Sequence, residues 1–273
     1  MHAILFHAFG YAVRSDSSMI FLAALFGLVV GPWWARALEG IPPRVTFKVH
    51  LLLGLAALAG GRLHYAINYP FLAAGRLPWQ GIHAGGAIIG MIVAAPAIFA
   101  YYRLHPGRMA DAIMPATGIG IAIARMGCFL NGCCFGVQCA YPWCLSFPPG
   151  SPAGVFEAEH KLVDYTAWSL PVHPLQLYFV ATGLAITAVA LWLIPRKRYH
   201  GQVALVGLLL FASGAYLLEP FRQDAGFRLY VGDVPQLQIV AWWLVETAVG
   251  GLVVCEMGHR LLARRAQARA LAS

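Results

Sequence analysis

Seven long apolar runs, separated by short polar segments, dominate the pattern of residues along the chain. An α-helix needs about 20 mostly apolar residues to cross roughly 30 Å of hydrocarbon, and each run reaches about that length. The pattern therefore predicts membrane-spanning helices at residues 18–37, 45–67, 83–102, 109–130, 174–194, 202–219 and 236–257. The predicted fold class is an all-α integral membrane protein with about seven transmembrane helices.

The composition agrees with this pattern. Of the 273 residues, 60% are hydrophobic and 11% are charged, and the mean hydropathy is +0.68. These values lie outside the range of ordinary soluble domains. The first apolar run lacks a basic start and a small-residue cleavage site, so we expect it to be retained as a helix. We interpret residues 1–273 as a single transmembrane domain.

Lysine and arginine residues accumulate on one side of the predicted bundle. With the N-terminus outside, twelve of them lie on the cytoplasmic side and five on the outer side. Because cytoplasmic loops are enriched in positive charge, this asymmetry predicts an outer N-terminus and a cytoplasmic C-terminus. The long connection 131–172 then forms an outer loop lobe, and residues 259–273 form a basic tail that we expect to fray. The net charge of +8 indicates anionic membrane lipids, and not nucleic acid, as partners.

Ionisable side chains within the apolar runs are few, and most lie near the outer ends of the predicted helices. Charged groups at membrane depth are costly and usually face a bundle interior or a wet cavity. Because most of these side chains lie on the same outer side of the bundle, we predict one outward-facing polar cavity. The alternative is that each side chain reaches the headgroup layer independently from its own helix end. The residues are Arg62, His64, His83, Arg125, His173, Glu219 and Arg222, with Glu246 separate in the last helix.

Arginine chemistry indicates the class of ligand. A planar guanidinium captures phosphate or carboxylate through two parallel hydrogen bonds, and lipid headgroups are the abundant phosphates of a bilayer. Arg125, in "ARMGCFLNGCCFG", follows a stretch without any charged side chain. Glu219 and Arg222, in "LLEPFRQD", are three residues apart and are expected to pair on one helix face. Pro220 is expected to end or kink that helix.

Glycines near the predicted helix ends have two interpretations. Gly85 and Gly86 follow His83 at a helix start, where unpaired backbone amides can meet an anion. Gly118 and Gly120 lie within a helix, where small residues allow close helix packing.

Five of the six cysteines cluster on the predicted outer side: Cys128, Cys133, Cys134, Cys139 and Cys144. Their spacing lacks the paired C-x-x-C pattern of structural zinc, so no metal site is predicted. An oxidising exterior allows disulfides, for instance between Cys139 and Cys144. A catalytic thiol activated by Arg125 is a further alternative, although Cys128 more readily fills space as a small buried residue.

Five ordered motifs resemble the bacterial prolipoprotein diacylglyceryl transferase family, and the resemblance covers most of the chain. The motifs are "GGRLHY" (60–65), "GIHAGGAIIG" (81–90), "ARMGCFLNGCCFG" (124–136), "HPLQLY" (173–178) and "EPFRQD" (219–224). The third motif and "HPLQLY" are together specific, and the cysteines of the third resemble those of a branch of the family.

The resemblance implies a seven-helix enzyme of the bacterial inner membrane that needs no cofactor. It would move the diacylglyceryl group of phosphatidylglycerol to the lipobox cysteine of a lipoprotein precursor and release glycerol phosphate. Arg125 and Arg222 would hold the phosphate and stabilise the charge on the leaving group. His83 or Glu219 would remove the thiol proton, because the thiolate is the nucleophile.

The resemblance also implies a set of residues that bind or order the substrates. Arg62 and Asn131 would order the site, and His173 would anchor the outer lobe to the fifth spanning helix. Gly85 and Gly86 join this set from their own position at the predicted helix start, where their backbone amides can meet the headgroup.

Three departures from the family pattern keep other functions open. Ala84 stands where the family has its histidine, which places His83 one residue early and turns the side chain by about 100°. Ala215 stands where the family has an arginine, and Asp16 follows "RS" where a tyrosine is expected. The alternatives are a related phospholipid-using membrane transferase with a different acceptor, and a non-catalytic lipid-binding or translocating protein. The segment 131–172 contains no motif that identifies the acceptor.

Overall fold

The structure is a computed structural model that describes residues 4–8, 11–68, 84–223, 230–231 and 233–272. The helices of these residues are α1 (Ser15–Glu39), α2 (Pro43–Asn68), α3 (Ala84–Tyr101), α4 (Pro106–Asn131), α5 (Pro152–Glu159), α6 (Leu175–Leu193), α7 (Gln202–Leu218) and α8 (Gln236–Ala272). Two 3₁₀ turns, Ile194–Arg196 and Glu219–Phe221, follow α6 and α7.

The seven predicted apolar helices are all present. Among the described residues, six helices are long and apolar enough to cross a membrane, and α3 adds a shorter apolar helix. The predicted all-α fold class is therefore confirmed. Proline ends α7 as expected, since the helix stops at Leu218 and a 3₁₀ turn with Pro220 follows.

Two short antiparallel hairpins and one long helix were not predicted. Strands β1 (Ile4–Ala8) and β2 (Tyr11–Arg14) pair before α1, and β3 (Tyr230–Val231) pairs with β4 (Val234–Pro235) before α8. Helix α8 continues to Ala272, beyond the predicted limit at residue 257, and the expected fraying of the basic tail stays a prediction. The tail is rich in alanine, leucine and arginine, which are strong helix formers.

The chain divides into two compact units, residues 27–113 and residues 1–26 with 114–273. A single domain over residues 1–273 stays a prediction. In the first unit, α2 packs on α3 through glycines: a Cβ at Gly60 would lie 2.8 Å from the Cα of Gly90. Buried Val49, Met109 and Ala112 form a small apolar core in the same unit.

In the second unit, α7 packs against both α6 and α8. Helices α4 and α6 also approach closely, because a Cβ at Gly118 would lie 2.5 Å from the carbonyl oxygen of Gly183. Thr187 Oγ1 donates to the Pro115 carbonyl at 3.0 Å across the same contact. The packing interpretation of Gly118 is thus confirmed, whereas a Cβ at Gly120 would meet nothing within 4 Å.

The predicted outer loop is a folded lobe, which we define as residues 132–172. Its core consists of buried Phe135, Phe147, Ala153 and Val172. Ser151 caps α5, since its Oγ accepts a hydrogen bond from the Gly154 amide at 3.1 Å. Cys139 and Cys144 form a disulfide, as the sequence suggested.

Candidate active site

Helix α4 ends in a turn that gathers polar groups. Gly132 and Cys134 adopt left-handed backbone conformations, with φ of 76° and 58°. The amides of Gly132 and Cys133 both donate to the Cys128 carbonyl, at 2.9 and 3.1 Å, which satisfies a helix-end acceptor. Glycine adopts this conformation freely, but Cys134 does so at an energetic cost. This turn follows the end of α4 and contains Cys133 and Cys134 of the third motif.

The turn brings three thiols together. The sulfurs of Cys128, Cys133 and Cys134 all lie within 4.8 Å of one another, and each side chain is half-buried. Hydrogen bonds from the Cys128 and Cys134 thiols lower the pKa of Cys133. The Gln176 amide nitrogen donates to the Cys133 carbonyl at 2.7 Å and so fixes the turn to α6.

Arg222 joins this cluster to the 3₁₀ turn after α7. One guanidinium nitrogen lies 3.9 Å from the buried Glu219 carboxylate, and another donates to the Cys134 sulfur at 3.9 Å. The ion pair predicted for these two residues is therefore present. Both side chains are mostly buried, with 25% of Arg222 and 6% of Glu219 exposed. The low exposure limits solvent screening of the pair.

Backbone hydrogen bonds clamp the lobe between His173 and the 219–223 segment. The Gly136 amide donates to the His173 carbonyl at 2.9 Å, and the Val137 amide donates to the Phe221 carbonyl at 2.7 Å. A Cβ at Gly136 would lie 2.6 Å from the His173 Cβ, so the last glycine of the third motif permits this crossing. We call residues 125–137, 173–179 and 219–223 together the polar junction.

His173 lies at the lobe side of the polar junction. Its amide donates to the Val137 carbonyl at 3.0 Å, and its Nδ1 is 3.2 Å from the Tyr178 hydroxyl. A ring nitrogen lies within 4.8 Å of both sulfurs of the Cys139–Cys144 disulfide. These contacts support its predicted role as the anchor of the lobe on the fifth spanning helix, α6.

Arg125 lies on α4 and packs on an aromatic ring of α6. Its guanidinium carbon is 4.4 Å from the ring centroid of Phe179, which is a cation–π distance. The side chain is half-buried, and within the described residues it forms no ion pair. A guanidinium that packs on a ring in this way can still offer its nitrogens to an anion.

Asn131 is buried and faces a residue that the sequence analysis did not single out. Its Oδ1 accepts from Arg14 Nη2 at 3.4 Å, and Arg14 also pairs with Asp16 at 3.1 Å. Arg14 and Asn131 line a cavity of about 320 Å³ together with Gly150. The sequence contained a clue to these two charged residues, because "RSDSS" places Arg14 and Asp16 directly before the first apolar run.

The remaining predicted site residues belong to other parts of the chain. His83 lies outside the described residues, and nothing is described of the surroundings of Gly85. Arg62 and Gly86 belong to the unit of residues 27–113, where the Arg62 guanidinium is 5.6 Å from the Tyr65 ring centroid. Gly86 is buried, and a Cβ there would lie 3.0 Å from His64 Cγ. A cavity shared by all the predicted residues stays a prediction.

The fold and the site define a multi-pass membrane protein that gathers arginine, carboxylate and thiol groups at the end of a spanning helix. The model of the prolipoprotein diacylglyceryl transferase family matches residues 3–254, and the chain belongs to this family. It is a multi-pass protein of the bacterial inner membrane.

Relatives named phosphatidylglycerol–prolipoprotein diacylglyceryl transferase occur in several bacteria. A phosphatidylglycerol–prolipoprotein diacylglyceryl transferase of Thermosynechococcus vestitus is 32% identical over 241 residues, which cover 85% of this chain and 84% of the relative. The protein of that name from Pseudoalteromonas translucida is 30% identical over 73% of this chain and 72% of the relative. The one from Chromohalobacter salexigens is 28% identical over 85% and 84%.

Proposed function

We propose that this protein transfers the diacylglyceryl group of phosphatidylglycerol to the lipobox cysteine thiol of a lipoprotein precursor and releases glycerol phosphate. The observation that carries the proposal is the placement of Arg222 between the buried Glu219 carboxylate and the Cys134 sulfur. The transfer requires a cation to bind the phosphate and a carboxylate to accept a proton, both shielded in part from solvent. The chain also belongs to a family that is named for this transfer.

In the proposed reaction, the acceptor sulfur attacks the glycerol carbon that is esterified to phosphate. A carbon–sulfur bond forms and the carbon–oxygen bond to phosphate breaks, so the phosphate oxygen keeps the electron pair. Arg125 and Arg222 bind that phosphate, and their fixed charges stabilise the leaving group in half-buried surroundings.

Glu219 accepts the thiol proton in this proposal. Its carboxylate lies 3.9 Å from an Arg222 guanidinium nitrogen and so stands beside the proposed phosphate site. Asn131 and His173 hold the turn and the lobe in place. The described residues support this assignment for the base, and His83 is the second candidate from the sequence.

The proposed orientation has the N-terminus outside and the C-terminus in the cytoplasm. The asymmetry of twelve against five positive residues supports it, and so does the Cys139–Cys144 disulfide, because disulfides persist in oxidising compartments. We expect a membrane-impermeant thiol reagent added outside intact cells to label a cysteine at Lys161 and not one at Lys197. Labelling at Lys197 from outside would reverse the orientation.

The function is tested with purified protein, phosphatidylglycerol and a lipobox peptide. Mass spectrometry should detect a diacylglyceryl thioether on the peptide and free glycerol phosphate, and a peptide with serine in place of cysteine should stay unmodified. Glycerol phosphate release without a modified peptide would favour the related transferase with another acceptor, which Ala215 keeps open. The absence of both products would contradict a transferase.

A further inference from the structure

The transfer described above gives no role to the three clustered thiols of the polar junction. Cys128 comes from the last turn of α4, and Cys133 and Cys134 come from the turn that follows. Their sulfurs lie within 4.8 Å of one another although the three residues span a helix end and a left-handed turn. The strained backbone at Cys134 is part of the arrangement that orients its side chain.

We propose that Cys128, Cys133 and Cys134 bind a thiophilic divalent cation of the Zn²⁺ type, and that the acceptor thiol of the transfer occupies its fourth coordination position. The second clause rests on the function proposed above. The first clause rests on the described side chains alone.

The distances fit such a cation. With metal–sulfur bonds of about 2.3 Å, the ligand sulfurs of a tetrahedral site lie about 3.8 Å apart. The three sulfurs are already within 4.8 Å of one another. Closing the site therefore requires movements of about 1 Å or less, which side-chain rotation can supply. Thiolates select soft or borderline metals over Mg²⁺ and Ca²⁺, whose ligands are oxygens.

The number of ligands indicates an open coordination position. Among the described residues, no fourth histidine, cysteine or carboxylate joins this group of three. Structural zinc sites are closed by four protein ligands, whereas sites with three keep a position for water or substrate. A thiol that binds at this position gives up its proton, which Glu219 accepts in the reaction proposed above, and is held as the thiolate. The acceptor of the proposed reaction is such a thiol.

The surroundings balance the charge of the cluster. Three thiolates and a divalent cation carry one net negative charge, and the Arg222 guanidinium donates to the Cys134 sulfur at 3.9 Å. Hydrogen bonds to ligand atoms from outside the coordination sphere orient the ligands and tune the metal. The Gln176 amide nitrogen fixes the Cys133 carbonyl at 2.7 Å. The buried Gln176 Oε1 has no donor among the described residues, so it can accept a hydrogen bond from a bound ligand.

The first clause is tested by titrating the purified, reduced full-length protein with Co²⁺ in detergent. We expect about one ion per chain and the absorption bands of tetrahedral cobalt–thiolate coordination, with Zn²⁺ displacing the cobalt. Cys133→Ser and Cys134→Ser should weaken binding by at least about tenfold. The matched control is Cys255→Ser on α8, which should bind as the unmodified protein does.

Two results would overturn the metal site. One is the absence of cobalt–thiolate bands in protein whose free thiols are shown by labelling to be reduced. The other is a disulfide between any two of the three cysteines in protein isolated without reductant, found by mass spectrometry of peptides. Thermal unfolding of each variant separates loss of a ligand from loss of the fold, and Cys133→His, which keeps a metal ligand, should restore binding.

The second clause is tested by adding a lipobox peptide to the cobalt-loaded protein without lipid. The peptide with cysteine should intensify the thiolate bands, and the peptide with serine should leave them unchanged. If the bands do not change when the cysteine peptide is added, the acceptor thiol does not bind the metal, and the metal site itself still stands. Full diacylglyceryl transfer by protein stripped of metal would also overturn it, while the proposed function would stand.

Discussion

Two regions bring segments together at close range by opposite means. At the contact of α2 and α3, backbones approach because side chains are missing: a Cβ at Gly60 would meet the Gly86 carbonyl and lie 2.8 Å from the Gly90 Cα. In the polar junction, backbones approach because they hydrogen bond, as between Gly136 and His173 at 2.9 Å. The first region is built on the bare backbones of glycines, and the second concentrates charged and thiol side chains.

The difference separates what holds the fold from what performs the chemistry. Small residues at a helix contact contribute through shape and van der Waals packing, so one added carbon is harmful there. The groups of the polar junction contribute through charge and donor geometry, so a substitution that preserves volume can still remove function. Each region therefore has its own kind of damaging substitution.

The largest expected effect is the loss of transfer activity in Arg125→Lys. A lysine keeps the charge, but its ammonium cannot form the two parallel hydrogen bonds of a guanidinium, so we expect the rate to fall by on the order of 100-fold. The measurement is the rate of diacylglyceryl thioether formation in the purified system. The unfolding temperature should change little, because the packing on Phe179 is retained in part.

The matched control for this substitution is Arg196→Lys. Arg196 also stacks on an aromatic ring, at 5.1 Å from the Trp192 centroid, but it is exposed and outside the polar junction. Its activity should equal that of the unmodified protein. If Arg125→Lys also retained full activity, Arg125 would be a residue that merely reaches the headgroup layer.

The second effect is on stability, in Gly60→Ala. The added Cβ meets backbone atoms of α3, which cannot move aside as a flexible side chain would. Overpacking of this kind costs about 1–3 kcal/mol, despite the better helix propensity of alanine. We expect a lower unfolding temperature in detergent. Gly54→Ala on the same helix meets nothing within 4 Å and should be neutral or stabilising. Equal melting of the two variants would contradict the close contact.

The same comparison explains which features the sequence could predict. The spanning helices follow from local hydropathy, and α7 ends within one residue of its predicted limit. The i,i+3 pair of Glu219 and Arg222 is equally local. The thiol cluster was missed because it depends on the left-handed backbone of Gly132 and Cys134, which spacing along the chain does not reveal.

Contacts between distant segments account for the other omissions. Arg14 meets Asn131 across 117 positions, and no periodic pattern connects a short strand to a helix end. The disulfide between Cys139 and Cys144 was suggested from the oxidising exterior predicted for this loop, and spacing alone would not have selected it, because two other cysteine pairs are also five residues apart. The crossing of Gly136 with His173 and Phe221 joins three motifs that the sequence analysis had treated separately.

The smallest expected effect is on the pH dependence of stability, through Glu157 in the lobe. Its carboxylate is buried and accepts from the Leu170 amide at 2.6 Å, and burial raises the pKa of Glu157 above its ordinary value of 4.5. Between these two pKa values the folded protein holds a proton that the unfolded chain has released. The free energy of unfolding therefore falls as pH rises through this window.

Glu157→Gln keeps an acceptor for Leu170 and removes the titration. Its unfolding temperature, followed from about pH 4 to pH 8, should therefore fall less with rising pH than that of the unmodified protein. The matched control is the exposed Glu159 on the same helix, where Glu159→Gln should reproduce the unmodified profile. A profile for Glu157→Gln as steep as that of the control would mean that the carboxylate is not desolvated in the lobe.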